Sequence, residues 1–232
     1  MASRIETAAA ALSVIAGATA LYFSARPQDE PVVQQASMAP IRTAAAPLPV
    51  GVAPTDLAGR RPLTAAQAAV ASKHDYLPAG TRSLLPVEEP LSHGGYVWNA
   101  GGVPPGPLTV WVDLRRQLVS AFRNGHEIGT AVILYGTDGH ETPMGTFPIL
   151  SKHEDYHSRT YDAPMPHAMF LTDDGVALHG SNVALGRATH GCVGLPPEFA
   201  RLLFGAAERG DRVSIVSSDP ALERQLALLP QS

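Results

Sequence analysis

Residues 108–114, LTVWVDL, alternate apolar and polar positions in the manner of a half-buried strand. The stretch 117–136, QLVSAFRNGHEIGTAVILYG, continues that pattern on both sides of Asn124-Gly125, a pair that favours a tight hairpin turn. Shorter strand-like runs are predicted at 145–151, 168–171, 176–179 and 212–216, with Asp173-Asp174-Gly175 as a turn between two of them. Only 196–209 has a clear helical period. Pro-Pro-Glu opens it, Phe199, Leu202, Leu203 and Ala206 share one face, and Gly210 closes it. Many short strands and one main helix predict a mostly-β, sandwich- or barrel-like domain over 107–217, with a tail at 218–232.

The chain before residue 107 reads differently. Residues 8–23 (AAAALSVIAGATALYF) are apolar and uncharged, follow Arg4, and end at Arg26-Pro27. They are shorter than the roughly 20 residues of a spanning helix and fit the apolar region of an export signal. Residues 1–25 are therefore expected to be a signal peptide or a signal anchor in the inner membrane. Either would put the rest of the chain outside the cytoplasm, in the periplasm. Residues 26–62, rich in Ala and Pro and without periodicity, are expected to be a linker. In the loop-rich accessory segment 63–106, a short helix over 63–73 with Thr64 as its N-cap is the one element the pattern predicts.

Composition narrows the function classes. With 232 residues, 45% of them apolar, the chain can bury one core and a small appendage. A net charge of −4 offers no footprint for nucleic acid. The single cysteine, Cys192, excludes an intrachain disulfide and a multi-cysteine zinc cage. In an oxidising compartment a lone thiol is a liability unless buried or used, which singles out Cys192.

Its surroundings are the informative part. Residues 177–204, ALHGSNVALGRATHGCVGLPPEFARLLF, run from a strand through His179-Gly180 and a loop to Thr189-His190-Gly191-Cys192 and a helix. A thiol becomes a nucleophile when an imidazole or local dipoles help to ionise it. Either histidine is close enough in sequence for a folded loop to bring it to the sulfur. Gly191 suits a tight turn whose amides converge on an oxyanion. Two other readings stay open on these residues alone: Cys192 as a small buried hydrophobe, and His179, His190 and Cys192 as zinc ligands. The second would need a sharply folded backbone between His190 and Cys192.

The same segment resembles the signature of the L,D-transpeptidase (YkuD-type) catalytic domain, a His-Gly followed by Ser/Thr-His-Gly-Cys. HETPMGTFPIL (140–150) is similar to the family's Thr-Pro-x-Gly-x-Phe stretch, and YDAPMPHAMFL (161–171) to its Met-Pro loop. The resemblance implies an enzyme of peptidoglycan biosynthesis and cell-wall organisation that needs neither cofactor nor metal. It implies that Cys192 attacks the bond between a diamino acid and a terminal D-alanine in a peptidoglycan stem peptide. His179 would be its base, and the amides of His190, Gly191 and Cys192 the oxyanion hole, with Thr189 and Gly180 in support. An amine then resolves the thioester, either from another stem (a 3→3 cross-link) or from an acceptor protein. A β-lactam of the carbapenem class is the implied inhibitor. Tyr156, Arg159, Tyr161, Met165 and Arg187 are candidate cleft residues.

One departure qualifies the resemblance. Where the family carries Arg or Asn two residues after the cysteine, this chain has Gly194, so a substrate or loop contact at that position is missing unless Arg187 or Arg201 replaces it. Two further readings follow: an L,D-carboxypeptidase that uses water as acceptor, and a peptidoglycan-binding module with weakened catalysis.

Overall fold

The computed structural model describes residues 57, 59–137 and 139–221. The expected signal or anchor, most of the linker and most of the tail lie outside them. The described residues fall within one compact unit. Among the described residues no helix is long and apolar enough to cross a membrane.

The first part of this unit is more ordered than a linker and a loop segment would be. It comprises β1 (Arg61–Pro62), α1 (Ala65–Lys73), β2 (Ser83–Leu84) and β3 (Tyr96–Trp98). Thr64 caps α1 through a reciprocal box with Gln67, satisfying two amides that the first turn leaves open. β1 pairs with β2, and β2 and β3 both pair with a strand of the main domain. Residues 96–98 are thus part of the principal sheet rather than of an appendage. A three-residue strand is too short for its period to be read from sequence.

The main domain continues with β4 (Leu108–Asp113), β5 (Leu118–Arg123) and β6 (His126–Val132). Asn124 and Gly125 both have positive φ (52° and 81°), so the β5–β6 turn is the one their residue types favour. The predicted run 145–151 is not one strand but two. β7 (Gly145–Pro148) joins the large sheet, whereas β8 (Ser151–His153) joins the small one. Next come the ribbon β9 (His157–Ser158) and β10 (Ala163–Pro164), then β11 (Ala168–Phe170), β12 (Ala177–Gly180), β13 (Val193–Leu195), α2 (Pro197–Ala206) and β14 (Arg212–Val216). The order in the large sheet is β1-β2-β6-β5-β4-β14-β7, with β3 also on β6; the small sheet runs β13-β12-β11-β8.

Alternation along these strands sets the layers. Val110 and Val112 of β4, Val119 and Ala121 of β5, and Val213 and Ile215 of β14 face one core, where they meet Met169, Leu178, Val193 and Leu195 of the small sheet. From α2, Phe199 and Leu203 complete that core. Phe199 is fully buried, with the rings of Trp98 and Tyr96 edge-on to it at 5.5 and 6.2 Å. The helix that begins five residues after Cys192 is thereby fixed to both sheets.

Candidate active site

β12 and β13 are neighbouring parallel strands, with Leu178 opposite Val193, His179 opposite Gly194 and Gly180 opposite Leu195. Because side chains alternate in direction, Leu178, Val193 and Leu195 enter the core, while His179 and Gly194 face the other side of the small sheet. Ala177 and Cys192 also lie on that other side, in a separate apolar cluster with Met165 and Ala168. The fold therefore sets His179 and Cys192 on the same face of adjoining strands.

His179 is 9% exposed. Its Nδ1 lies 2.9 Å from the Gly180 carbonyl oxygen, which can only accept, so Nδ1 carries the proton and donates. Nε2 of the neutral ring is then the free acceptor. Burial pushes the imidazole below its ordinary pKa, partly offset by that carbonyl, which keeps the ring neutral at pH 7. The Cys192 thiol donates to the Gly175 carbonyl at 3.6 Å. Burial pushes its pKa up, and the Ala177 amide pulls it partly back. Both shifts favour the uncharged form, a neutral thiol beside a neutral imidazole.

The loop ahead of Cys192 is tied at both ends. Thr189 N–H donates to Tyr135 O at 3.0 Å and its hydroxyl donates to Cys192 O. Gly194 exchanges two 2.9 Å hydrogen bonds with Leu134. Between these ties, the amides of His190, Gly191 and Cys192 make no backbone hydrogen bond among the described residues. Gly191 has φ +105°, a conformation closed to most side chains, and this turns the amide run. Gly180 serves a different need: a Cβ there would lie 3.1 Å from Pro166 Cγ, and its N–H bonds Pro166 O at 2.8 Å. The Met-Pro loop is in this way pinned to the His-Gly turn.

His190 does not point into the buried cluster. It is exposed, stacked on Tyr161 (4.4 Å, 14° between planes), with His140 edge-on at 5.2 Å. Three loops meet in this ring stack, and His140 was not among the candidate residues. Among the described residues no three His, Cys, Asp or Glu side chains are grouped to hold a metal ion. Of the candidate cleft residues, Met165 is 7% exposed and packs beside Cys192, and half-buried Tyr156 lies against the same cluster. Arg159 and Arg187 are exposed, and among the described residues no side-chain hydrogen bond or ion pair brings either to the site. Arg201, a candidate to replace the missing polar contact, is bound to Glu198 on α2 at 2.6 and 2.8 Å. Gly175 was expected only to turn the chain, yet its carbonyl also holds the thiol.

A family model for the YkuD L,D-transpeptidase catalytic domain matches residues 107–215. That segment, just under half of the chain, is similar to the L,D-transpeptidase catalytic domain. Its curated relatives include L,D-transpeptidase 1 of Mycobacterium tuberculosis, 26% identical over 160 residues, which cover 62% of this chain and 61% of that protein. Similar solved structures include an L,D-transpeptidase from Stackebrandtia nassauensis, 26% identical with a TM-score of 0.46, over 50% of this chain and 58% of that one. An LD transpeptidase in complex with imipenem is 25% identical with a TM-score of 0.44, over 47% and 59% of the two chains. In the matched segment, α2 and the Met-Pro loop brace β12, which carries His179, and β13, which Cys192 leads into.

Proposed function

We propose that the protein is an exported peptidoglycan L,D-transpeptidase acting through a Cys192 thioester. The observation that carries the reading is the shared face of β12 and β13, with the His179 ring held in the tautomer that leaves Nε2 free. Nε2 takes the thiol proton as Sγ attacks the carbonyl between the diamino acid and the terminal D-alanine of a stem tetrapeptide. The unpartnered amides from His190 to Cys192 receive the oxyanion. The imidazolium then protonates the departing D-alanine amine, leaving a thioester. An incoming amine gives its proton back to Nε2 and attacks that thioester, releasing the thiolate to be reprotonated.

The ring stack of His190 with Tyr161 and His140 supports a role for His190 in holding the oxyanion loop rather than in exchanging protons. The acceptor is proposed to be an amine of a second stem, which gives a 3→3 cross-link. A reactive β-lactam carbonyl would enter the same path and stop at the acyl-enzyme. Incubation with disaccharide-tetrapeptide followed by mass spectrometry tests the reading. Loss of D-alanine with formation of a cross-linked dimer, absent in Cys192→Ala, is expected. Tripeptide without dimer would make the protein an L,D-carboxypeptidase, and unchanged substrate with folded enzyme would refute catalysis.

A further inference from the structure

The outer face of the large sheet, turned away from the core, is not bare. α1 and residues 76–93 lie over it and enclose a cleft of about 780 Å³. Its floor is the outward set of the alternating strands, including Trp111, Asp113, Ser120, Glu127 and Thr130; its walls are apolar, with Leu85, Val87 and Leu91 among them. Cys192 and His179 lie on the small sheet, across the core from this cleft.

Asp113, 2% exposed, is the telling residue. Its Oδ1 accepts the amides of Arg115, Arg116 and Ser218 at 3.1–3.3 Å. Its Oδ2 is buried with no hydrogen-bond partner among the described residues. A buried acceptor of this kind is rarely left open, and it belongs to a residue that lines the cleft. Glu127, 5% exposed, adds a second carboxylate whose Oε2 accepts the Leu85 amide at 2.9 Å.

We infer that this cleft is a binding site for an uncharged saccharide. Two carboxylates (Asp113, Glu127) and two guanidinium groups (Arg61, Arg116) line it, so neither a cation nor an anion meets a field of one sign. What the lining does offer is donors, acceptors and hydroxyls on one side, with aliphatic and aromatic surface on the other. A sugar ring has the matching pair of faces, one of hydroxyls and one of C–H groups. The volume falls in the usual range of small-molecule sites. Trp111, whose Nε1 is held by the Asp75 carbonyl at 3.1 Å, is shared with a second hollow of about 390 Å³ lined also by Thr146, Ser214 and Ser217. Two hollows on one tryptophan suit an oligosaccharide better than a single sugar. That the natural ligand is a wall glycan rests on the proposed function; the binding itself does not.

The test uses the full chain as Cys192→Ala, which cannot acylate, so a failed activity reading would leave it untouched. A tetramer of N-acetylglucosamine is titrated while backbone amide and Trp indole signals are followed by NMR. Saturable shifts at the Trp111 indole and the cleft amides are expected. Trp111→Ala should abolish them, and Asp113→Asn should weaken binding by about tenfold or more. Because these substitutions could disturb folding, Val87→Trp, at an exposed rim position, supplies a second variant that should block the mouth without touching the floor. The inference is overturned by no saturable shift at millimolar tetramer. Shifts confined to the Cys192 face, equal binding by all three variants, or displacement by a simple polyamine would overturn it too.

Discussion

Gly194 is where a family position and this fold meet most sharply, and replacing it with alanine has a calculable consequence. The backbone there is not in the left-handed region, so the penalty comes from space, not from φ. A Cβ on Gly194 would lie 3.0 Å from Ser181 Cβ, 3.3 Å from Leu134 Cβ and 3.3 Å from Ser181 Oγ. Both Cβ neighbours ride on backbone: Leu134 is locked to Gly194 by two hydrogen bonds, and Ser181 N–H donates to Leu195 O at 2.7 Å. Neither can swing away as a side-chain tip could, so β13 must shift by a few tenths of an ångström relative to β12. Overpacking of this kind costs about 1–3 kcal/mol. For a chain of this size that is a fall in Tm of roughly 2–12 °C. The shift moves the strand that Cys192 leads into, so acylation by a carbapenem should slow as well, and Gly194→Arg should be worse on both counts. A polar side chain restored here therefore weakens this enzyme instead of improving it. Thermal unfolding by circular dichroism and stopped-flow acylation check both effects. An unchanged Tm in Gly194→Ala, or faster acylation in Gly194→Arg, would refute the packing argument.

Other predictions follow from the same geometry. His179→Ala should lower the acylation rate by ~10²-fold or more, the usual loss on removing a general base; an unchanged rate would pass that role to His190. In the proposed mechanism the base is neutral His179, whose pKa burial lowers, so the wild-type rate should hold as pH falls past the ordinary histidine value near 6.5 and drop only below it. A midpoint above 6.5 in the pH–rate profile would contradict this. The same shift makes the folded state bind fewer protons than the unfolded one, so His179 takes stability away as pH falls below 6.5. His179→Gln should flatten that part of the Tm–pH curve. Phe199→Ala removes a fully buried ring that contacts both Trp98 and Tyr96 and should cost about 3–5 kcal/mol, seen as an early urea midpoint.

Legibility in the sequence tracked the length of each pattern. The β5–β6 hairpin, β14 and α2 were readable because five or more residues repeat one period, or because Asn124-Gly125 and Gly210 punctuate them. β13 was not foreseen: Val193-Gly194-Leu195 is a three-residue strand squeezed between the cysteine turn and Pro196, and only its neighbours Leu178 and Leu134 make it one. The run 145–151 looked like a single strand because Ile149 and Leu150 are apolar. In fact the chain crosses there from the large sheet to the small one, and Ile149 is buried in the core at the crossing. His179 and Cys192 could be chosen from spacing and resemblance, whereas their common face depends on a parallel register that no local pattern encodes. The same holds for His140 and for the Gly175 carbonyl, which come to the site through tertiary contacts alone.

The proposed chemistry requires Cys192 to be an acylable nucleophile. Intact-protein and peptide mass spectrometry after incubation with a carbapenem asks this directly. The predicted result is one drug mass per chain, located on the peptide that contains Cys192 and missing from Cys192→Ala. A folded wild-type protein that gains no mass, or that carries the drug elsewhere, would contradict it.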